Sequence, residues 1–187
     1  EKELTLDLSV LIDESLKTYS GLSVEKDSKH KLLEYFSART TAMYQENGFS
    51  PQVINAVLEL SISKPLDFKN RLIAVDNFNK TPECADLAEA NKRVKNILAK
   101  SDFTPYDVQI DQSLFEAHES ALFETIEKVK GSVAKLISET DYQAALEKLA
   151  SLKDVVNAFF DNVMINAHDL QIRNNRLALI AELRSLF

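Results

Sequence analysis

The chain has 187 residues, a formal net charge of −7, three glycines and four prolines. This length suffices for one large or two small domains, each able to bury a core. The scarcity of turn-forming residues, together with 45% hydrophobic residues, argues against a sheet-rich protein and predicts an all-α fold. The negative charge argues against a protein coated in nucleic acid, although RNA binding needs only a local basic patch.

Three sequence features bear on location. Cys84 is the single cysteine, which excludes an internal disulfide and fits a reducing cytoplasm. No apolar run approaches the roughly 20 residues needed to cross a bilayer. The charged start, Glu1-Lys2-Glu3, is unlike a signal peptide. We therefore expect a cytoplasmic protein that does not enter a membrane.

Four helices are predicted in the first part of the chain. Leucines at near-helical spacing predict a helix over residues 4–19, and a second helix is predicted from Ser23 to the stop at Gly48. Ser50-Pro51 reads as an N-cap followed by a first-turn proline and opens the third helix. Pro65 opens the fourth.

The second part begins with another cap-plus-proline signal, Thr81-Pro82, which opens a fifth helix. Residues 101–113, which contain Pro105, break the helical pattern and predict a loop. Three more helices are predicted, over residues 114–139, over residues 141–165, and from Asp169 nearly to Phe187. The first of these is expected to be weakened at Gly131.

Spaced sequence blocks in a fixed order carry a family resemblance. They are KPLDFKNRLIAV at 64–75, ANKRVKNILAK at 90–100, FFDNVMI at 159–165 and RNNRLALI at 173–180. Any one block alone would be a weak signal. Together the blocks resemble the C-terminal region of the β subunit of bacterial glycyl-tRNA synthetase, which includes an anticodon-binding domain of the DALR class. The similarity covers nearly the whole chain.

The resemblance implies an all-α helical bundle in which residues 82–187 form a DALR-type anticodon-binding domain. Residues 1–81 would be a helical linker or body segment. This chain would bind the anticodon arm of glycine tRNA and position the tRNA for ATP-dependent glycylation in the companion α subunit. ATP and magnesium would bind in that α subunit, so we expect neither a cofactor nor a catalytic residue in this part of the ligase.

The fifth predicted helix carries most of the candidate tRNA contacts. On a helical wheel, Lys92, Asn96 and Lys100 form a row opposite the apolar face, with Arg93 at its edge. Taken alone, such a row is more often a solvated polar face. The resemblance favours a tRNA-binding face, because this helix is similar to the first helix of DALR domains. We predict phosphate contacts for the two lysines and base recognition for Arg93 and Asn96, neither of which should be needed for the core. The competing interpretation makes Arg93 a brace of the helix bundle.

In the last predicted helix, Arg173 lies at the margin of the apolar stripe and is the fifth predicted tRNA contact. Arg176 falls inside the stripe, which predicts a structural brace bonded to a carboxylate or to carbonyls. The Asp-Ala-Leu-Arg pattern that names the family is degraded here to Asp169-Leu170-Gln171-Ile172-Arg173.

Other features have competing explanations. Phe159 and Phe160 could stack on bases, but their place on an apolar stripe favours the core, while Tyr106 is a freer aromatic outside any motif. His168-Asp169 spells the dipeptide of HD phosphohydrolases without the further ligands such a site needs. Two rival functions therefore remain: a helical adaptor that joins subunits without touching RNA, and a helical hydrolase.

Overall fold

The computed structural model describes residues 3–19, 25–102 and 109–187, which contain nine α-helices and no β-strand. The all-α prediction is confirmed. The helices are α1 (Leu8–Thr18), α2 (Ser28–Glu46), α3 (Pro51–Leu58), α4 (Pro65–Phe78), α5 (Pro82–Ala99), α6 (Ala117–Ser138), α7 (Tyr142–Ala150), α8 (Lys153–Asn162) and α9 (Leu170–Arg184). They form two compact units, one up to Asn79 and one from Lys80 to Phe187.

The start of α1 lies four residues later than predicted, because Asp7 caps the helix. Its carboxylate accepts hydrogen bonds from the Ser9 and Val10 amides at 3.0 and 3.4 Å and from the Ser63 hydroxyl at 2.7 Å. These bonds, chiefly the one from Ser63, lower the pKa of Asp7 below its ordinary value. The cap thus joins the beginning of α1 to the segment before α4.

The turn between α2 and α3 follows the sequence prediction. Gly48 adopts φ = +90°, in the left-handed region that favours glycine. The Phe49 amide donates to the Tyr44 carbonyl and the Gly48 amide to the Gln45 carbonyl, at 3.1 and 3.0 Å. This bond pair satisfies the carbonyls at the end of α2. The Ser50 hydroxyl then accepts the Val53 amide and caps α3.

In the second unit, α7, α8 and α9 each pack against both α5 and α6. The core is built from aliphatic and aromatic side chains of all five helices and of the connections between them. Its buried members are Val94, Leu122, Ile126, Val129, Val133, Ala145, Leu149, Leu152, Val156, Phe159, Phe160, Val163, Leu179, Ile180 and Leu183.

The stretch predicted as one helix over residues 141–165 folds as two, so this prediction was wrong. The chain turns at Ser151 and Leu152, where the Ser151 hydroxyl donates to the Lys148 carbonyl at 2.6 Å. Leu152 is buried, with core residues on both sides of the turn. Apolar spacing therefore continues through the turn, and periodicity alone cannot reveal it. Helix α8 also ends at Asn162, and Val163 is extended.

The predicted weakness at Gly131 is absent. Helix α6 runs without interruption through this exposed position, and no atom lies within 4 Å of where a Cβ would stand. The helical pattern on both sides outweighs the cost of one glycine, which is only about 1 kcal/mol.

A buried ion pair joins α6 to α9. The Arg176 Nε and Nη2 atoms donate to the two carboxylate oxygens of Glu119 at 3.0 and 3.2 Å. Nη1 donates to the Met164 carbonyl at 2.8 Å, in the connection between α8 and α9. The hydrogen bonds that Arg176 donates to Glu119 raise the pKa of Arg176 above its ordinary value, so the guanidinium stays charged. The prediction of Arg176 as a brace is confirmed.

A second polar contact fixes the end of the loop before α6. Asn175, buried on α9, accepts the Asp111 amide at 2.8 Å and donates to the Asp111 carbonyl at 2.9 Å. The side-chain amide of Asn175 thus satisfies both backbone polar groups of Asp111. A 3-10 helix, Gln112–Leu114, follows directly.

The two described glycines allow a matched test. Gly131→Ala should raise the free energy of unfolding by about 0.5–1 kcal/mol, because alanine fits the space and restricts the unfolded chain. Gly48→Ala should lower it by roughly 1–2 kcal/mol, because a Cβ strains the left-handed conformation. Calorimetric melting of both variants measures the two effects, and equal shifts of the same sign would contradict the argument.

The buried pair can be tested by a double-mutant cycle. Glu119→Leu leaves the Arg176 charge buried without its partner and should cost about 3–5 kcal/mol, as should Arg176→Met. The double variant should cost much less than the sum, because no unpaired charge remains. Urea unfolding at neutral pH gives the three free energies, and strictly additive losses would show that the pair is not a coupled unit.

Candidate nucleic-acid interface

Helix α5 has one face in the core and one in solvent. Val94 is fully buried, and four flanking apolar residues, Leu87, Ala90, Ile97 and Leu98, pack against the same core cluster. The predicted inner face is therefore confirmed. Four of the five predicted tRNA contacts, Lys92, Arg93, Asn96 and Lys100, are exposed.

The lysines of α5 and its C-cap differ from those of α6 and α8 in their lack of acidic partners. Across the described ranges, Lys92, Lys95 and Lys100 have no carboxylate within ion-pair distance. By contrast, four lysines elsewhere in this unit are paired: Lys128 with Glu124, Lys130 with Glu182, Lys135 with Glu139, and Lys153 with Asp86. The outer face of α5 therefore keeps its positive charge, although the chain as a whole is acidic.

Arg93 is engaged within the protein. Its guanidinium carbon lies 4.2 Å from the centre of the Phe160 ring, and Nη2 donates to the Phe160 carbonyl at 3.4 Å. A guanidinium over an aromatic face is attracted by the ring electrons. The structure therefore gives Arg93 a bracing contact between α5 and α8, as the competing interpretation of this residue predicts.

Lys100 and Arg173, distant in sequence, meet at a cavity of about 370 Å³. The cavity lies between the end of α5, the connection from α8 to α9, and the first turns of α9. Its lining residues are Ile97, Lys100, Ser101, Asp102, Met164, Ile165, Asn166, Arg173 and Leu177. Lys92, Arg93 and Asn96 do not line it, so the five predicted residues form a row and a separate cavity rather than one cluster.

Arg173 is half-buried, and its Nε atom is buried without a hydrogen-bond partner in the described part of the chain. This contrasts with Arg176 one turn later, whose guanidinium bonds to Glu119 and to the Met164 carbonyl. The Nε atom of Arg173 is therefore left without a partner among the described residues, whereas the guanidinium of Arg176 is fully used by the fold.

Comparison with known proteins agrees with this geometry. Residues 87–187, more than half of the chain, match the DALR anticodon binding domain. The chain belongs to the DALR anticodon binding domain family. The matched residues include the outer face of α5 and the whole of α6 to α9.

Curated relatives extend the similarity over the whole chain. This chain is 43% identical to the glycine–tRNA ligase β subunit of Photorhabdus laumondii, 42% identical to that of Colwellia psychrerythraea and 40% identical to that of Acinetobacter baumannii. Each alignment covers 100% of this chain but 27% of the relative. The resemblance to the C-terminal region of the β subunit is thereby confirmed.

The structure also shows the positions of other residues that the sequence analysis singled out. Phe159 and Phe160 are buried in the core, so the base-stacking interpretation is wrong for both. The Asp169 carboxylate accepts the Gln171 and Ile172 amides and caps α9. Tyr106 lies outside the described residues.

Sequence reasoning missed the cavity and several residues that form it. Ser101, Asp102 and Asn166 belong to non-helical segments, where no periodicity indicates which way a side chain faces. Met164 lay inside a predicted helix that in fact ends at Asn162. The one sequence signal of the cavity was a polar residue, Asn166, directly after an apolar run.

Two kinds of feature are absent from the described residues. None of their helices combines the length and apolar character needed to cross a membrane. No group of three or more histidine, cysteine or acidic side chains among them is arranged to hold a metal ion.

The contact with Phe160 changes what we expect from substituting Arg93. Arg93→Ala should lower the free energy of unfolding by about 0.5–2 kcal/mol, because the cation–π contact and a hydrogen bond are lost. Asn96→Ala, on the same exposed helix face, is the matched control and should change stability by less than about 0.5 kcal/mol. Thermal melting of both variants tests this, and equal melting temperatures would remove Arg93 from the packing.

Proposed function

We propose that this chain binds the anticodon arm of glycine tRNA as part of a glycine–tRNA ligase β subunit. One observation carries the proposal: the lysines on the outer face of α5 lack acidic partners in the described structure, within a DALR anticodon binding domain. Phosphate groups are the natural partners of such lysines, since contacts with phosphates fix the register of a nucleic acid without reading its sequence. Lys92 and Lys100 would supply these contacts, and Asn96, exposed between them, would reach base edges.

In this proposal the chain makes and breaks no bonds. Glycylation would take place in the companion α subunit, where ATP and magnesium would bind. Holding the anticodon arm would place the distant acceptor end of the cognate tRNA, so differential tRNA binding would raise the specific rate of the reaction. A cytoplasmic location remains an expectation from the lone Cys84.

An adaptor role without RNA contact is the second candidate, and the first unit supplies an observation in its favour. Helix α2 buries none of its residues within the described structure, and it exposes Leu32, Tyr35, Phe36 and Met43. Exposed apolar side chains on one helix are typical of a surface that packs against another protein segment. This candidate predicts no role for the lysines of α5.

Salt dependence separates the two candidates. Lys92→Gln and Lys100→Gln should each weaken binding of glycine tRNA and reduce the slope of log affinity against log salt by about 0.7–0.9. Base preference should not change, because phosphate contacts carry no sequence information. Lys128→Gln, which removes an exposed lysine from α6, is the matched control for net charge.

Fluorescence anisotropy with labelled tRNA at several salt concentrations gives these slopes. If the α5 variants and the α6 control behave alike, the outer face of α5 is not the interface. A folded chain that shows no tRNA binding at low salt supports the adaptor.

A further inference from the structure

We propose that the outer face of α2 is a docking surface for an amphipathic helix from the part of the β subunit that precedes this region in the relatives. The inference concerns the first unit and does not depend on tRNA binding. Within the described residues, α2 is 19 residues long and buries none of them. Most of the stability of a helix in a protein comes from packing an apolar face. Helix α2 therefore lacks the burial that a helix of this length needs.

The apolar side chains of α2 form two stripes. The inner stripe contains the half-buried Leu33 and Tyr44, and Tyr44 packs against the core of the first unit. The outer stripe consists of four exposed residues, Leu32, Tyr35, Phe36 and Met43. At 100° per residue these positions fall within an arc of about 100°, the width of the apolar face that a helix buries against a neighbour.

The composition of the outer stripe is typical of a protein interface. Two of its members are aromatic and one is methionine, and the exposed Arg39 lies between Phe36 and Met43 on the same side of α2. Aromatic residues, methionine and arginine are all enriched where proteins pack together. The stem of an arginine also packs on apolar surface while its charged head stays in water. The partner is therefore expected to present aliphatic side chains toward the stripe.

Exposed apolar side chains are concentrated in the first unit. Among the described residues, eleven of the fourteen exposed large hydrophobic side chains precede Lys80, although the second unit is the longer one. They include Leu4 and Leu6, which come before α1. Scattered single apolar residues are normal on a surface, but a concentration of them marks a site of interaction. The second unit therefore closes its own core, whereas the first unit leaves a surface for a partner.

A cavity of about 290 Å³ beside α2 supplies an anchor point. Its apolar lining includes Leu8, Leu33, Phe36, Leu58, Ile62 and Phe68. Native cores leave few voids larger than a water molecule, and a cavity of about 150 Å³ already holds a benzene ring. Because Phe36 belongs both to the outer stripe and to the cavity lining, a helix that lies along the stripe can insert an apolar side chain here.

The relatives indicate where the partner helix comes from. Each alignment covers 27% of the relative, and the match lies in the C-terminal region of the β subunit. Most of the relatives' chain therefore precedes this region, and the first unit is the part of the match nearest to it. A segment of the same chain has a high effective concentration, so it occupies an apolar face in preference to a separate protein. This favours the preceding part of the β subunit over the α subunit or a second copy.

Hydrogen–deuterium exchange, followed by mass spectrometry, tests the inference on the complete β subunit and on the 187-residue chain. The amides of α2 should exchange roughly tenfold or more slowly in the β subunit, because docking suppresses local opening of the helix. The ratio of the two exchange rates is the added protection. The amides of α6 are the internal reference and should exchange at similar rates in both proteins.

Tyr35→Glu tests the outer stripe directly. Tyr35 is 62% exposed, so a charge is tolerated there in the 187-residue chain but is costly once the face is covered. The variant should remove the added protection of α2. Ile137→Glu, which places the same charge at an exposed position of α6, is the matched control and should leave that protection unchanged. Because added protection is a ratio, any effect of Tyr35→Glu on α2 itself cancels.

The two methionines of the chain give a side-chain readout. Met43 lies in the outer stripe and Met164 in the second unit, and both are exposed in the described structure. Peroxide should oxidise the two at similar rates in the 187-residue chain. In the β subunit Met43 should react roughly tenfold more slowly than Met164, because a covered thioether is shielded from the oxidant.

Any of three results overturns the inference. Equal exchange of α2 in the two proteins shows that the preceding part of the β subunit does not cover this face. Protection that appears only when the α subunit is added assigns the face to that subunit, and protection that grows with the concentration of the β subunit assigns it to a second copy. None of these results bears on the proposal that α5 binds tRNA.

Discussion

The second unit depends on the buried pair between Arg176 and Glu119. Glu119 is completely buried at the beginning of α6, where its carboxylate also accepts the Glu116 amide and completes a capping box. Arg176 occupies a core position on α9 and reaches the Met164 carbonyl. One ion pair therefore joins two helices and the connection that precedes α9. Charges removed from water are tolerated only when their hydrogen bonds are satisfied, so both side chains restrict how α6 and α9 can pack.

The candidate interface is a consequence of this restriction. Packing of α5 against α7, α8 and α9 buries Val94 and turns the polar row outward. The same packing brings the end of α5 next to Arg173 on α9. A continuous helix through residues 163–166 would place Met164 and Asn166 on a helical face instead. The break after Asn162, held by Arg176, creates the cavity wall. Arg176, which braces the fold, and Arg173, which lines the cavity, lie three residues apart on α9.

Charge distribution explains how an acidic chain can present a nucleic-acid surface. All four lysines of α6 and α8 have carboxylate partners, which weaken their fields at short range. The lysines on and directly after α5 have none in the described ranges, and the segment 91–100 contains no acid. At physiological ionic strength charges beyond roughly 8 Å are screened, so the local balance governs an RNA contact more than the net charge of −7 does.

The sequence by itself determined the helical class, most helix starts and stops, and the outward direction of Lys92, Asn96 and Lys100. These are local properties, set by capping side chains, by Gly48 at a left-handed position and by the 3.6-residue period of a helix. It also indicated that Arg176 braces the core, because a cation inside an apolar stripe needs a buried partner. Only the tertiary structure decided the turn at Ser151, the place of Arg93 over Phe160, and the meeting of Lys100 with Arg173. Each of these depends on contacts between residues far apart in the chain, and periodicity carries no information about which helices become neighbours.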